Sequence, residues 1–276
     1  MKKTIYLLFI LSFAFSHQFE NSYKGGIPSF TKTPNPGKVA INEIYQIKTA
    51  KKWYGSNGKT SSIEKWESNT AGVTLDYLGM HGAGISYTFN KSDLEWGSES
   101  GNFSLTETGI YYLWNNVIGG IDLHDLTFKL TRIKSGVFSR TGKLEENGVE
   151  GQTYSAQIFR AAIDFIISNK IISSNLIETN LSDDDYISNV QINSRLIYDV
   201  SEKASAALEF NRIDIASIGD LYENSLKLYG SYQFSDIQWG NLNFNLKIVP
   251  FYSHSLSGKN YFKTKAMGVE FHTYFK

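Results

Sequence analysis

The sequence predicts an all-β protein, an antiparallel up-and-down transmembrane β-barrel of about 12 strands. Three observations carry that prediction. Apolar and polar residues alternate with a period of two in segment after segment, most cleanly where Leu242, Phe244, Leu246 and Ile248 share one face and Asn241, Asn243, Asn245 and Lys247 the other. Such a polar face is too hydrophilic for a sandwich core, and the apolar face is too continuous for bulk water, whereas lipid outside and water inside suits both. The connections between segments alternate in length, with long or polar ones at residues 49–69, 91–101, 134–152, 181–187, 215–223 and 253–263. Short ones fall at 78–82, 116–120, 168–170, 200–203 and 235–240. Short periplasmic turns and longer outer loops give that order in a barrel with both termini in the periplasm. Finally, the 276 residues include 17 Tyr and 18 Phe, the residues that form interfacial girdles.

Composition narrows the function classes. Lys plus Arg equals Asp plus Glu at 27 each, which argues against nucleic acid or another acidic polymer as partner. The absence of Cys excludes disulfides, thiol catalysis and Cys-based metal centres. No cofactor is expected.

The elements follow in chain order. Lys2 and Lys3, the apolar run from Ile5 to Phe15, and Ala14-Phe15-Ser16 form a signal peptide over residues 1–16, too short to span a bilayer comfortably. The expected destination is the bacterial outer membrane, with lipid and the barrel assembly machinery as partners. Residues 17–38, with Gly25, Gly26, Pro28, Pro34 and Pro36, form an irregular N-terminal arm that could plug a lumen. The barrel is expected over residues 39–276. Its first clear hairpin sets Ala71, Val73, Leu75 and Tyr77 against Ala83, Ile85, Tyr87 and Phe89 across a turn at Gly79 to Gly82.

Leu126, Phe128 and Leu130 then alternate with Thr127, Lys129 and Thr131, and residues 135–151 read as a long polar loop. Residues 153–167 fit either a strand or an amphipathic helix. Past Asp183-Asp184-Asp185, the short Ser201-Glu202-Lys203 turn pairs Val200 with Ala204, which sets Arg195 opposite Glu209 on the polar face. Leu226, Leu228, Tyr232 and Phe234 lead into the closing hairpin, whose last strand must meet the one starting near Val39.

The chain resembles a known family at four places. Thr273-Tyr274-Phe275-Lys276 resembles the terminal aromatic signal of outer-membrane barrels, with one Lys beyond it. Leu256-Ser257-Gly258-Lys259-Asn260 before the last strand, Lys52-Trp53-Tyr54-Gly55-Ser56-Asn57-Gly58, and His124-Asp125-Leu126-Thr127-Phe128-Lys129-Leu130 resemble segments of the outer-membrane transporters of the MetA-pathway phenol-degradation type. That resemblance runs over residues 39–275. It implies a roughly twelve-stranded barrel that moves small, often hydrophobic molecules, and it carries over no defined site residues.

Among the residues themselves, Lys129, Arg195, Glu209, Lys227, Lys247, Glu270 and His272 fall on polar faces and are the candidate lumen lining. Their mixed charges suit either a selective pore or a self-neutralising interior. The function expected is passive uptake or binding of a small molecule, hydrophobic ones included; the alternative is a structural or surface-interaction barrel without transport. An enzyme is not expected. His254 with Ser255 and Ser257 would need a fixed nucleophile–base–orienter geometry, and Gly-x-Ser-x-Gly is absent. Asp183 to Asp185 lacks the spacing of a calcium loop, and the five His are scattered without paired ligand spacing.

Overall fold

The computed structural model describes residue 30 and residues 32–115, 120–123, 126–146, 149–180, 190–215 and 221–276. Residues 1–16, expected to be a signal peptide, most of the expected arm and Asp183 to Asp185 lie outside them. Thirteen strands are present among the described residues: β1 (Lys38–Tyr54), β2 (Thr60–Leu78), β3 (Ala83–Trp96), β4 (Glu99–Asn115), β5 (Gly120–Leu123), β6 (Leu126–Glu146), β7 (Val149–Ser168), β8 (Ile171–Asn180), β9 (Val190–Asp199), β10 (Ala204–Ile215), β11 (Leu221–Trp239), β12 (Leu242–Lys259) and β13 (Tyr261–Phe275). Twelve of them close an antiparallel barrel, in which β1 pairs with β13 and β4 with β6. The four-residue β5 pairs with the start of β6 as a side hairpin. Among the described residues, closure gives each of the twelve barrel strands a partner on both sides, as a hydrocarbon environment demands.

Period-two sequence decides which face is which. Val39, Tyr45, Ile47, Leu75, Tyr77, Ile85, Tyr87, Phe89, Leu196, Leu208, Leu228 and Met267 are all exposed. They project outward, so the barrel wears an apolar belt that only lipid can satisfy. Inward positions alternate large and small. A Cβ on Gly84 would sit 2.2 Å from the Tyr111 ring, and one on Gly268 2.6 Å from Phe251, so these glycines make room for inward aromatics.

The structure resolves one open point and corrects two expectations. Residues 153–167, which fit strand or helix by sequence, are strand, within β7. The 135–151 loop is strand too, since β6 runs through Glu146 and β7 begins at Val149. Other connections expected to be long also shrink: β1 and β2 are joined by residues 55–59, and β12 and β13 by Asn260 alone. Polar residues marked those stretches as loops, but they are strand ends projecting past the bilayer. A strand of about 9–11 residues suffices to cross, and β1, β2, β6, β7 and β11 have 17 to 21. Among the described residues β8 and β9 have 10 each, as many as a crossing needs.

Charged outward residues interrupt the apolar belt, Glu43 among them. Glu43 is exposed between Ile41 and Tyr45, with Val73 and Phe271 as its cross-strand partners. Five residues beyond Lys38, it lies about 12 Å up the barrel normal, inside the hydrocarbon. Glu43→Leu is expected to stabilise the barrel by on the order of 1 kcal/mol, checked by reversible urea unfolding in lipid vesicles.

Candidate functional site: the barrel interior

Inward-facing side chains from neighbouring strands assemble into four polar clusters. The first was legible in the sequence. Glu209 pairs with Arg195 across β9 and β10, as the Val200–Ala204 hydrogen bond of 3.0 Å requires. Arg195 donates from Nε to Glu209 Oε2 at 2.7 Å and from a terminal nitrogen to the Tyr229 hydroxyl at 2.9 Å, while that hydroxyl donates to Glu209 at 2.9 Å. Across the lumen-facing side of β11 and β13, Lys227 Nζ lies 3.5 Å from Glu270 and 3.7 Å from the centre of the Phe251 ring. His272 continues the chain, with Nε2 3.0 Å from Glu270 and Nδ1 2.7 Å from Asn42 Oδ1 on β1. Five of the seven sequence candidates thus stand in one neighbourhood.

The remaining two are placed differently. Lys247 is buried, 4% exposed, with Nζ 5.7 Å from the Tyr274 ring centre. Lys129 is exposed at the short-turn end, paired with Gly120 of the side hairpin and with Ile166, and a β-bulge between Leu130 and Arg132 separates it from the inward row of β6. It joins none of the four clusters.

Sequence reading missed the densest cluster. Glu107 on β4, Arg140 on β6, Arg160 on β7 and Glu178 on β8 form a closed box with no net charge. Arg160 donates to both Glu107 oxygens at 2.7 and 2.9 Å and to Glu178 at 2.7 Å; Arg140 reaches Glu107 at 2.9 Å and Glu178 at 2.8 Å. The two carboxylates are almost wholly buried, at 5% each. The signal was present as the alternation Gly136, Phe138, Arg140, Gly142 against Val137, Ser139, Thr141, hidden because the stretch read as a loop.

Two smaller clusters complete the set. The Tyr111 hydroxyl donates to Asp76 at 2.5 Å, with Lys134 3.6 Å from the same carboxylate and 3.9 Å from the Tyr111 ring centre. Glu223 accepts from Ser255 and from Thr264, the latter at 2.6 Å. That second cluster bears on the hydrolase reading. Ser255 is fully buried on the inward side, whereas His254 occupies the alternate, outward position of the same strand. The base therefore cannot reach the hydroxyl of Ser255, and no nucleophile–base pair forms from them.

Apolar inward residues fill the space between clusters. Ile172, Ile197, Ala207, Tyr229, Val249 and Phe251 form one packed group and Leu78, Tyr111, Leu113, Phe138, Ala156 and Ile158 another. At the outer mouth, Trp53, Trp66 and Trp96 surround the Phe262 ring at centroid distances of 4.9, 5.2 and 5.7 Å.

The N-terminal arm enters this interior. The Phe30 amide donates to Ser174 Oγ at 2.8 Å, and Ser174 in turn donates to Asp164 at 2.7 Å. The Arg195 guanidinium lies 4.5 Å from the Phe30 ring centre and 4.5 Å from that of Tyr229, sandwiched between them. Lys32 sits 5.3 Å from the Tyr274 ring centre, and Thr33 is buried. The arm then leaves toward β1 through a 2.7 Å bond from the Gly37 amide to the Leu78 carbonyl.

This closed barrel with an inserted arm can be set beside known structures. The chain superposes on the COG4313 outer membrane channel from Pseudomonas putida F1 with a TM-score of 0.61 and 13% identity, over 90% of this chain and 99% of that one. It has the fold of a bacterial outer-membrane β-barrel. Two more distant similarities are the KdgM porin in complex with disordered oligogalacturonate, at TM-score 0.47 and 8% identity over 86% and 99% of the two chains, and outer membrane phospholipase A from Escherichia coli, at 0.43 and 11% over 87% and 92%. No family model matches the sequence, and no curated protein matches it. The outer-membrane barrel implied by the resemblance to the transporter family is confirmed at the level of the fold.

Proposed function

We propose that the barrel passes a small, largely apolar molecule passively across the outer membrane, with the N-terminal arm as a removable plug. The observation that carries this reading is the interior itself. Many of its charges are paired, exemplified by the neutral box of Glu107, Arg140, Arg160 and Glu178, and apolar side chains such as Ile172, Ile197, Val249 and Phe251 pack between the polar groups. Such an interior gives an ion little to bind and favours a solute of low charge. The candidate residues Arg195, Glu209, Lys227, Lys247, Glu270 and His272 act in this reading as structural walls and as the seat of the arm.

Among the described arm residues, one backbone-to-Ser174 hydrogen bond and two cation–ring contacts hold Phe30 and Lys32, each worth on the order of 1 kcal/mol.

The chain has no Cys, so Phe30→Cys with Ser174→Cys gives a reversible tether. Proteoliposomes carrying this variant are expected to take up a small apolar dye when reduced and to fall to the protein-free rate when oxidised. Equal uptake in the two states would remove the plug from the proposal, and protein-free rates in both would remove transport.

A further inference from the structure

We infer that the outer rim of β12, β13 and β1 carries a binding site for the phosphate groups of an outer-leaflet glycolipid. Lys51, Lys52, Lys263 and Lys265 form it. The outward row of β13 runs Phe275, Thr273, Phe271, Val269, Met267 and then switches to Lys265 and Lys263. Ten residues of strand from Phe275 cover about 33 Å, or about 25 Å along the normal at a usual tilt, which equals the height of the apolar band. Lys265 therefore emerges where hydrocarbon gives way to headgroups, on the end opposite the short turns.

Register brings the four lysines together. Lys265 pairs with Thr49 and Lys263 with Lys52, while Lys51 is the extra residue of a β-bulge between Ala50 and Lys52. A bulge re-aims side chains. Here it adds a second lysine beside the outward Lys52, and both are exposed.

Charge balance separates this patch from other basic residues beyond the apolar belt. Lys65 is paired with Glu67 at 2.5 Å, Lys143 with Glu145 at 3.1 Å and Arg212 with Asp214 at 2.8 Å. By contrast, no carboxylate among the described residues lies within ion-pair distance of Lys51, Lys52, Lys263 or Lys265. The Lys263 ammonium lies 5.7 Å from the Tyr54 ring centre; across β1, Glu67 is taken by Lys65, and Glu64, opposite the Lys51 bulge, lays its carboxylate against Gly97. His254 pairs with Lys265 on β12, and its buried Nδ1 has no hydrogen-bond partner among the described residues. Four cations at headgroup height with no protein counter-charge fit a phosphorylated lipid.

The test measures binding of diphosphoryl lipid A to the full chain in neutral detergent by native mass spectrometry and by thermophoresis. Wild type is expected to bind it about tenfold more tightly than the monophosphoryl form, with affinity falling steeply as salt rises. The variant Lys51→Gln/Lys52→Gln/Lys263→Gln/Lys265→Gln should lose that preference, whereas Lys170→Gln/Lys203→Gln at the short turns should keep it. Both variants must show the heat-modifiable mobility of the folded barrel. Should the fourfold variant not fold, Lys51→Gln/Lys52→Gln and the salt and phosphate-number dependence of wild type decide the matter. Inorganic phosphate at equal concentration should not displace the lipid. No preference between lipid forms, displacement by free phosphate, or equal loss in the short-turn variant would each overturn the inference.

Discussion

Replacing Glu107 by Gln is expected to destabilise the barrel by about 3 kcal/mol, the largest effect expected of a single interior substitution. Glu107 accepts from both Arg140 and Arg160 and is 5% exposed, so its loss leaves two guanidiniums sharing Glu178 in a space with little water. The cost is mostly the unpaired charge left behind, not the lost attraction. Charge balance then predicts a rescue. Glu107→Gln combined with Arg160→Gln leaves one Arg and one Glu, and should recover at least half of the lost stability. Urea titration in lipid vesicles, read by the shift between heat-modified and unmodified gel bands, measures both. Equal stability of the single and double variants would show that the box is too hydrated for burial to matter.

Deleting residues 17–37 is expected to raise single-channel conductance in planar bilayers several-fold while leaving the barrel folded. The described arm residues occupy the lumen between β8, β9 and β13 through Phe30 and Lys32, and they contribute no strand to the ladder. Barrel closure rests instead on β1 with β13, whose register runs from Ala40–Tyr274 to Tyr54–Tyr261. Removing the arm also frees one face of Arg195, which remains held by Glu209 and Tyr229. Unchanged conductance in a heat-modifiable, arm-deleted barrel would mean that the interior clusters alone close the lumen. That result would favour the structural or surface-interaction barrel over transport.

How far the sequence could be read depended on chain separation. Arg195 and Glu209 are 14 residues apart on one hairpin with a tight turn, so a local register predicted their contact. Arg160 and Glu107 are 53 apart, on strands that meet only through β6. Nothing local sets that register. The same limit explains Lys129: alternation placed it on a polar face, but the bulge after Leu130 and the side hairpin through β5 are properties of how β4 rejoins β6. Loop lengths failed for another reason. Polarity marks residues outside the bilayer, and strands that project beyond it are as polar as loops.

The sequence by itself determined which residues face lipid, because a period of two leaves each side chain one of two faces and a hydrocarbon solvent penalises the wrong one. It also determined twelve barrel strands and the meeting of the first with the last. Only the tertiary structure decided the interior. Closing the barrel brings inward side chains from distant strands within reach of one another, so the neutral box of Glu107, Arg140, Arg160 and Glu178 exists only once β4, β6, β7 and β8 are side by side. Seating Phe30 against Arg195 likewise needs the wall to be complete before there is a lumen for the arm to enter.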